Sequence, residues 1–172
     1  MVYMAKKEPY KSYIANYMMG YMMATGTLII AGGALERNAH SIFTRFVHAA
    51  GGPGRRFAVL PAATANPGAA MELASRLLAA VGVPASRVTQ LRVSEKEAGW
   101  ELGAYDPETI AEAERADGIW LPGGDQNAIT RLLLTPDGGD TPLLAAIRRR
   151  LDAGAAVGGT SAGAAVMSDP MI

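Results

Sequence analysis

The sequence predicts an α/β fold, a three-layer sandwich in which a mostly parallel sheet lies between helices. Five short apolar runs alternate with helical patterns from residue 26 onward. The runs are apolar at consecutive positions, as expected of strands that are buried on both faces. Glycine pairs mark three strand ends, at Gly32–Gly33, Gly123–Gly124 and Gly158–Gly159. Ligands bind beyond the carboxyl ends of such strands, so these glycines indicate where a site would lie.

Each predicted strand is a short apolar run bounded by glycine, proline or charged residues. The five runs are GTLIIAGG, RFAVLPAA, SRVTQLRV, DGIWLPGG and AAVGGTS, at residues 26–33, 56–63, 86–93, 117–124 and 155–161. The third alternates apolar and polar residues, whereas the others are nearly continuous. This difference favours a buried position for the other four strands.

The predicted helices have apolar residues at helical spacing and clear boundary residues. They cover residues 38–52, 67–82, 107–116, 124–134 and 142–154, and a last helix follows Ser161. Asp106 and Thr141 are candidate N-caps, because each precedes a proline that suits the first helical position. Gly82 and Gly154 suit the helix ends. No internal repeat or low-complexity linker interrupts the pattern.

The composition excludes several kinds of function. Sixteen basic residues balance sixteen acidic ones, so there is no basic surplus for binding nucleic acid. The chain has no cysteine and two histidines, which argues against thiolate or histidine-rich metal sites and against a cysteine nucleophile. We expect no cofactor. No run of 18 apolar residues exists, so no membrane span is expected.

Residues 1–25 differ in character from the rest of the chain. This segment is rich in tyrosine and methionine, and we interpret it as an N-terminal arm or leader. An export signal is an alternative, but Lys11 and Asn16 interrupt its apolar run and no clear cleavage site follows. We therefore predict a cytoplasmic protein, with export left open.

A candidate nucleophile follows the fifth predicted strand. Residues Gly159 to Gly163 read Gly-Thr-Ser-Ala-Gly and match G-x-S-x-G between a strand and a helix. A serine at such a turn needs small neighbours, because its backbone is strained. The N–H of Ala162, in the first turn of the helix, would stabilise an oxyanion. The competing interpretation is that Ser161 only caps the helix.

A second polar element follows the fourth predicted strand, in Leu-Pro-Gly-Gly-Asp-Gln at residues 121–126. The adjacent glycines allow a close backbone approach to a ligand, and we add Gly124 as a candidate oxyanion donor. Asp125 and Gln126 would bind an amide or ammonium group of a substrate. For Asp125, helix capping alone is an equally good interpretation.

These segments together resemble a known family. IIAGG, LPGGDQNAITRLL and GAAVGGTSAGAAVMSDPMI are similar to cyanophycinases, in the group of serine peptidases that also contains peptidase E. The resemblance covers about residues 26–172. It implies a flavodoxin-like sandwich similar to class I glutamine amidotransferases, with Ser161 as nucleophile and Gln126 holding a β-linked aspartyl group. The implied substrates are β-aspartyl-arginine peptides or related isopeptides.

The chain lacks a convincing base for Ser161. His48 falls opposite the apolar stripe of its helix, and His40 is a weak reserve candidate. The resemblance implies a base and an acid further along the polypeptide. We therefore expect residues 26–172 to be the N-terminal part of a hydrolase domain, completed by a C-terminal half as a second chain, with the completed units forming dimers.

Self-cleavage of a precursor after Ile172 is one hypothesis for such a pair of chains, and truncation is the other. Two further functions stay open from the sequence. One is a dipeptidase for α-aspartyl linkages, as in peptidase E, and the other is a non-catalytic relative that binds a ligand or partner through the same edge.

Overall fold

The computed structural model describes residues 2–6, 26–32 and 35–168. Six strands form one sheet in the spatial order β1-β2-β6-β5-β3-β4. In chain order the strands are Val2–Lys6 (β1), Thr27–Ala31 (β2), Phe57–Val59 (β3), Val88–Gln90 (β4), Gly118–Leu121 (β5) and Ala156–Thr160 (β6). All neighbouring pairs are parallel except β1 with β2. The predicted α/β class and mostly parallel sheet are confirmed.

Six α-helices accompany the sheet in the described part of the chain. They are Leu35–Ala49 (α1), Pro67–Ala80 (α2), Pro107–Arg115 (α3), Gln126–Leu133 (α4), Pro142–Asp152 (α5) and Ala162–Ala165 (α6). The predicted N-caps are confirmed. The Asp106 carboxylate accepts from the Thr109 N–H at 2.8 Å, and the Thr141 hydroxyl accepts from the Leu144 N–H at 3.4 Å. None of the helices within the described ranges is long and apolar enough to cross a membrane.

The sheet differs from the prediction at two places. Strand β4 begins at Val88, two residues later than predicted, because Ala85–Arg87 forms a 3₁₀ turn in which the Arg87 N–H donates to the Pro84 carbonyl. Val2–Lys6 adds an antiparallel edge strand that we did not predict. The segment that we interpreted as an arm thus begins with a strand on the domain, and residues 7–25 lie outside the described residues.

Alternate residues of the strands supply two separate cores. Phe57, Val59 and Trp120 pack with α1 and α2 on one face of the sheet. Ala58 and Ile119, from the same two strands, pack with α3, α4 and α5 on the other face. Because helices pack on both faces of the sheet, we expect a ligand at the carboxyl-end edge of the central strands β6 and β5.

Candidate active site

Ser161 lies at the turn between β6 and α6, with its side chain exposed. Its backbone has φ 52° and ψ −119°, and it is the one non-glycine residue with positive φ in the described ranges. Its carbonyl accepts hydrogen bonds from the Ala164 and Ala165 N–H groups, both at 2.9 Å. Ser161 makes no capping hydrogen bond with its side chain. The turn is therefore a strained strand-to-helix elbow, and its hydroxyl is not used to stabilise the helix.

Two glycines allow α6 to pack directly on β5. A Cβ atom on Gly163 would lie 2.1 Å from the Leu121 carbonyl oxygen. One on Gly159 would lie 2.5 Å from the Gly163 carbonyl oxygen. Any side chain at either position would push the elbow away from its neighbouring strand. The sequence pattern around Ser161 thus has a direct packing cause.

The carboxyl end of β5 borders the serine through Gly123. A Cβ atom on Gly123 would lie 3.0 Å from Ser161 Cβ and 3.6 Å from Ser161 Oγ. Gly123 belongs to one of the glycine pairs that indicated the edge of the site, but its contact with Ser161 was not predicted. The absence of a side chain here leaves the Ser161 hydroxyl accessible.

The two predicted oxyanion donors occupy different positions. Ala162 is buried at the first position of α6, where the helix offers its N–H no carbonyl partner. Gly124 has φ 148°, and a Cβ atom there would lie 1.9 Å from the Ala63 carbonyl oxygen. Gly124 is thus held against the loop after β3, whereas Gly123 contacts the serine. Their role as oxyanion donors stays a prediction.

Asp125 caps helix α4, which is the alternative role that the sequence indicated for it. Its Oδ1 accepts from the Asn127 N–H at 2.9 Å, and its own N–H donates to the Ala63 carbonyl at 2.8 Å. The side chain is also half exposed. Capping uses Oδ1, and Oδ2 is left for contacts with other groups, of which Arg131 is one.

Gln126 is the first residue of α4 and is partly buried. Its backbone carbonyl accepts from the Thr130 hydroxyl at 3.2 Å. Its side-chain amide forms no hydrogen bond to another described residue. It can therefore both donate to and accept from a ligand at this edge.

An ion pair fixes α4 against the loop that follows β4. Arg131 Nε and Nη2 donate to the two Glu95 carboxylate oxygens at 2.7 and 2.9 Å. Arg131 Nη2 also donates to Asp125 Oδ2 at 3.5 Å. The Arg131 hydrogen bond holds the pKa of Glu95 below its ordinary value, and the same bond raises the pKa of Arg131. The guanidinium thus links the Asp125 loop to a neighbouring loop.

The described residues supply no base in contact with Ser161. His40 and His48 both lie on α1 and are exposed, and the His40 carbonyl accepts from the Thr44 hydroxyl. No side chain in the described ranges forms a hydrogen bond with Ser161 Oγ. The same ranges contain no group of three or more histidine, aspartate and glutamate side chains placed to hold a metal ion.

The protein has a mostly parallel sheet between helices, and a strained serine lies at one strand-to-helix turn. This combination is typical of α/β proteins with a nucleophile elbow. Comparison with known proteins identifies the family within this class. Residues 27–172 match peptidase family S51, and the chain belongs to this family.

Similar proteins include two curated cyanophycinases. The chain is 30% identical to that of Geminocystis herdmanii over 155 residues, covering 90% of this chain and 53% of the relative. It is 34% identical to that of Synechococcus elongatus over 149 residues, covering 86% and 42%. The chain thus spans about half the length of the curated relatives it matches.

A solved structure also resembles the chain. It is the crystal structure of a peptidase from an acI-B1 Actinobacterium, with a TM-score of 0.60 and 22% sequence identity. The similarity covers 82% of this chain and 55% of the solved one. This likeness supports the fold.

Proposed function

We propose that the chain is the nucleophile-bearing half of a serine-type peptidase that cleaves β-aspartyl-arginine peptides or related isopeptides. The observation that carries the proposal is the backbone of Ser161, because this strain serves no purpose in a simple helix cap. Strained backbone persists where surrounding structure enforces it, and it concentrates at active sites. Membership of peptidase family S51 supports the same chemistry.

In the proposed reaction Ser161 Oγ attacks the carbonyl carbon of the isopeptide bond. A base takes the hydroxyl proton and later delivers it to the leaving amine. The negative charge on the carbonyl oxygen is stabilised by the N–H groups of Ala162 and Gly124. Water then attacks the carbonyl carbon of the acyl group, the base takes a proton from the water and returns it to Ser161 Oγ, and the bond between Oγ and the acyl group breaks.

The proposed substrate class rests on Gln126 and on the relatives. A partly buried amide with no partner among the described residues suits the free amino and carboxyl groups of an aspartyl residue. The curated relatives are named cyanophycinases. We assign Asp125 and Gln126 to the aspartyl part of the substrate, with Asp125 also capping α4.

The base belongs to polypeptide that completes the domain, as a second chain from the same precursor. Support comes from an apolar groove of about 700 Å³ on the α4–α5 face of the sheet. Its lining includes Leu28, Ile129, Leu133, Leu144, Ile147 and Met167. A groove of this size and composition is suited to packing a further layer of polypeptide. The curated relatives have about twice the length needed for the matched region.

The test uses the complete assembly, which is this chain together with the polypeptide proposed to complete it. Its two substrates are β-aspartyl-arginine and α-aspartyl-arginine. We expect hydrolysis of β-aspartyl-arginine, and its loss in a folded Ser161→Ala variant, because removing the nucleophile removes covalent catalysis. Ser161→Ala activity near that of the unmodified protein would overturn the assignment. Preference for the α-linked dipeptide would instead indicate the specificity of peptidase E.

A further inference from the structure

A second cavity opens beside Ser161, on the sheet face opposite α4. We call it the α2 cavity. It has a volume of about 290 Å³. Its lining includes Phe43, Leu73, Leu77, Trp120, Gly123 and Thr160. Thr160 directly precedes Ser161, and Gly123 lies against the serine side chain. The cavity therefore reaches within one residue of the proposed nucleophile.

The described side chains that line the α2 cavity are uncharged. Phe43 and Trp120 are almost fully buried, with ring centroids 4.5 Å apart. They form an apolar floor.

The polar groups at the rim of the α2 cavity are largely used by the protein itself. Asn66 Oδ1 accepts from the Ala69 N–H at 2.9 Å as the N-cap of α2. The Thr64 hydroxyl accepts from the Asn66 N–H at 3.2 Å. The cavity thus offers a ligand mainly apolar contact, and a buried guanidinium would find no carboxylate in it.

The α2 cavity and the candidate aspartyl site lie on different sides of Ser161. Gln126 begins α4, whose apolar side chains pack on one face of the sheet. The cavity is walled by α1 and α2, which pack on the other face. A substrate that spans Ser161 would therefore place its aspartyl group near Gln126 and its other residue toward the cavity.

We propose that the α2 cavity binds the side chain of the residue that supplies the leaving amine, and that it selects an uncharged aliphatic side chain. This inference rests on the proposed hydrolysis of isopeptides. It moves the expected preference, within that class, from β-aspartyl-arginine toward β-aspartyl-leucine. Leu73 is a specificity-determining residue, because it forms part of the cavity wall and is 45% exposed.

Binding is tested without turnover in the Ser161→Ala variant of the complete assembly, by one thiol introduced into this chain. The chain has no cysteine, so Ala69→Cys places one reactive group on the cavity lining. Ala79→Cys is the matched control, since Ala79 is also exposed on α2 but does not line the cavity. We expect β-aspartyl-leucine to slow alkylation at position 69 at least fivefold and to leave position 79 unchanged. Equal rates with and without the dipeptide, or stronger protection by β-aspartyl-arginine, would overturn the inference.

Specificity is tested in the complete enzyme with Leu73→Asp and Leu73→Asn. The two side chains have nearly the same shape, and only the aspartate supplies a carboxylate for a guanidinium. We expect Leu73→Asp to raise kcat/KM for β-aspartyl-arginine relative to β-aspartyl-leucine at least tenfold, and Leu73→Asn to leave the ratio within threefold of the unmodified enzyme. An unchanged ratio in both variants would contradict the cavity assignment. Protection of the thiol without hydrolysis of any dipeptide would overturn the proposed function and leave the cavity assignment supported.

Discussion

Gly163→Ala tests whether close packing of the elbow on β5 holds Ser161 in place. The added Cβ would lie 2.1 Å from the Leu121 carbonyl oxygen and 2.7 Å from the Leu121 carbonyl carbon. Real Cβ contacts are essentially never shorter than 3.0 Å, so α6 or β5 must move. Both contacts are backbone atoms of a buried strand, and no side-chain rotation relieves them.

Two opposing effects set the size of this change. Alanine is favoured over glycine within a helix by about 0.5–1 kcal/mol. Overpacking a well-packed region costs about 1–3 kcal/mol, and a clash with backbone belongs at the upper end. We expect a net loss of about 2 kcal/mol in the free energy of unfolding. For a domain of this size that lowers the melting temperature by about 4–8 °C.

Thermal unfolding followed by circular dichroism measures the effect, with Gly32→Ala as the matched control. Gly32 lies at the carboxyl end of β2, on the same edge of the sheet, and a Cβ atom there meets nothing within 4 Å. We expect Gly32→Ala to melt within about 2 °C of the unmodified protein, because surface substitutions usually change stability by no more than about 0.5 kcal/mol. A Gly163→Ala protein that is as stable as the control would refute the packing argument.

Three further predictions concern the same edge of the sheet. Ser161→Gly should raise the unfolding free energy by about 1 kcal/mol, because glycine relieves the positive φ at a smaller entropic cost; an unchanged or lower melting temperature would contradict the strain. Gln126→Leu should raise KM for β-aspartyl dipeptides about tenfold or more with little change in stability. The control Asn127→Leu should leave KM unchanged. If Gln126→Leu also leaves the kinetics unchanged, Gln126 is only the first residue of α4. The ion pair of Glu95 with Arg131 should stabilise the fold fully above pH 4.5, the ordinary pKa of the carboxyl group. This stabilisation is lost as the pH falls through the lowered pKa of Glu95. Below pH 4.5 the melting temperature of Glu95→Gln should therefore depend less on pH than that of the unmodified protein. If the melting temperatures of Glu95→Gln and the unmodified protein change equally with pH, this last prediction is wrong.

The sheet could be predicted from the sequence to the extent that local patterns determine it. Continuous apolar runs bounded by glycine, proline or charged residues identified β2, β3, β5 and β6, and a proline after a capping residue identified the start of α3 and α5. Strand β1 could not be found this way. It is an edge strand whose pairing with β2 depends on a distant part of the chain. Its sequence merges with a Tyr/Met-rich segment that has no strand boundary.

The candidate site could be predicted only in part, for a similar reason. Ser161 was identified because a strained turn requires small residues beside it in the sequence. The contact of Gly123 with Ser161 was not identified, because it joins two strands that are adjacent only in space. The bond between Arg131 and Glu95 spans 36 positions and has no local signal.

Covalent labelling shows directly whether Ser161 is the nucleophile. A fluorophosphonate reagent is added to the complete assembly, to its Ser161→Ala variant and to the isolated 172-residue chain, and the labelled residue is located by mass spectrometry. We expect stoichiometric labelling of Ser161 in the complete assembly, none at position 161 of the variant, and little in the isolated chain, because the described residues supply no base. Labelling of a different residue in the complete assembly would contradict the assignment of the nucleophile, and rapid labelling of Ser161 in the isolated chain would show that the base lies within these 172 residues, with His40 as the first candidate.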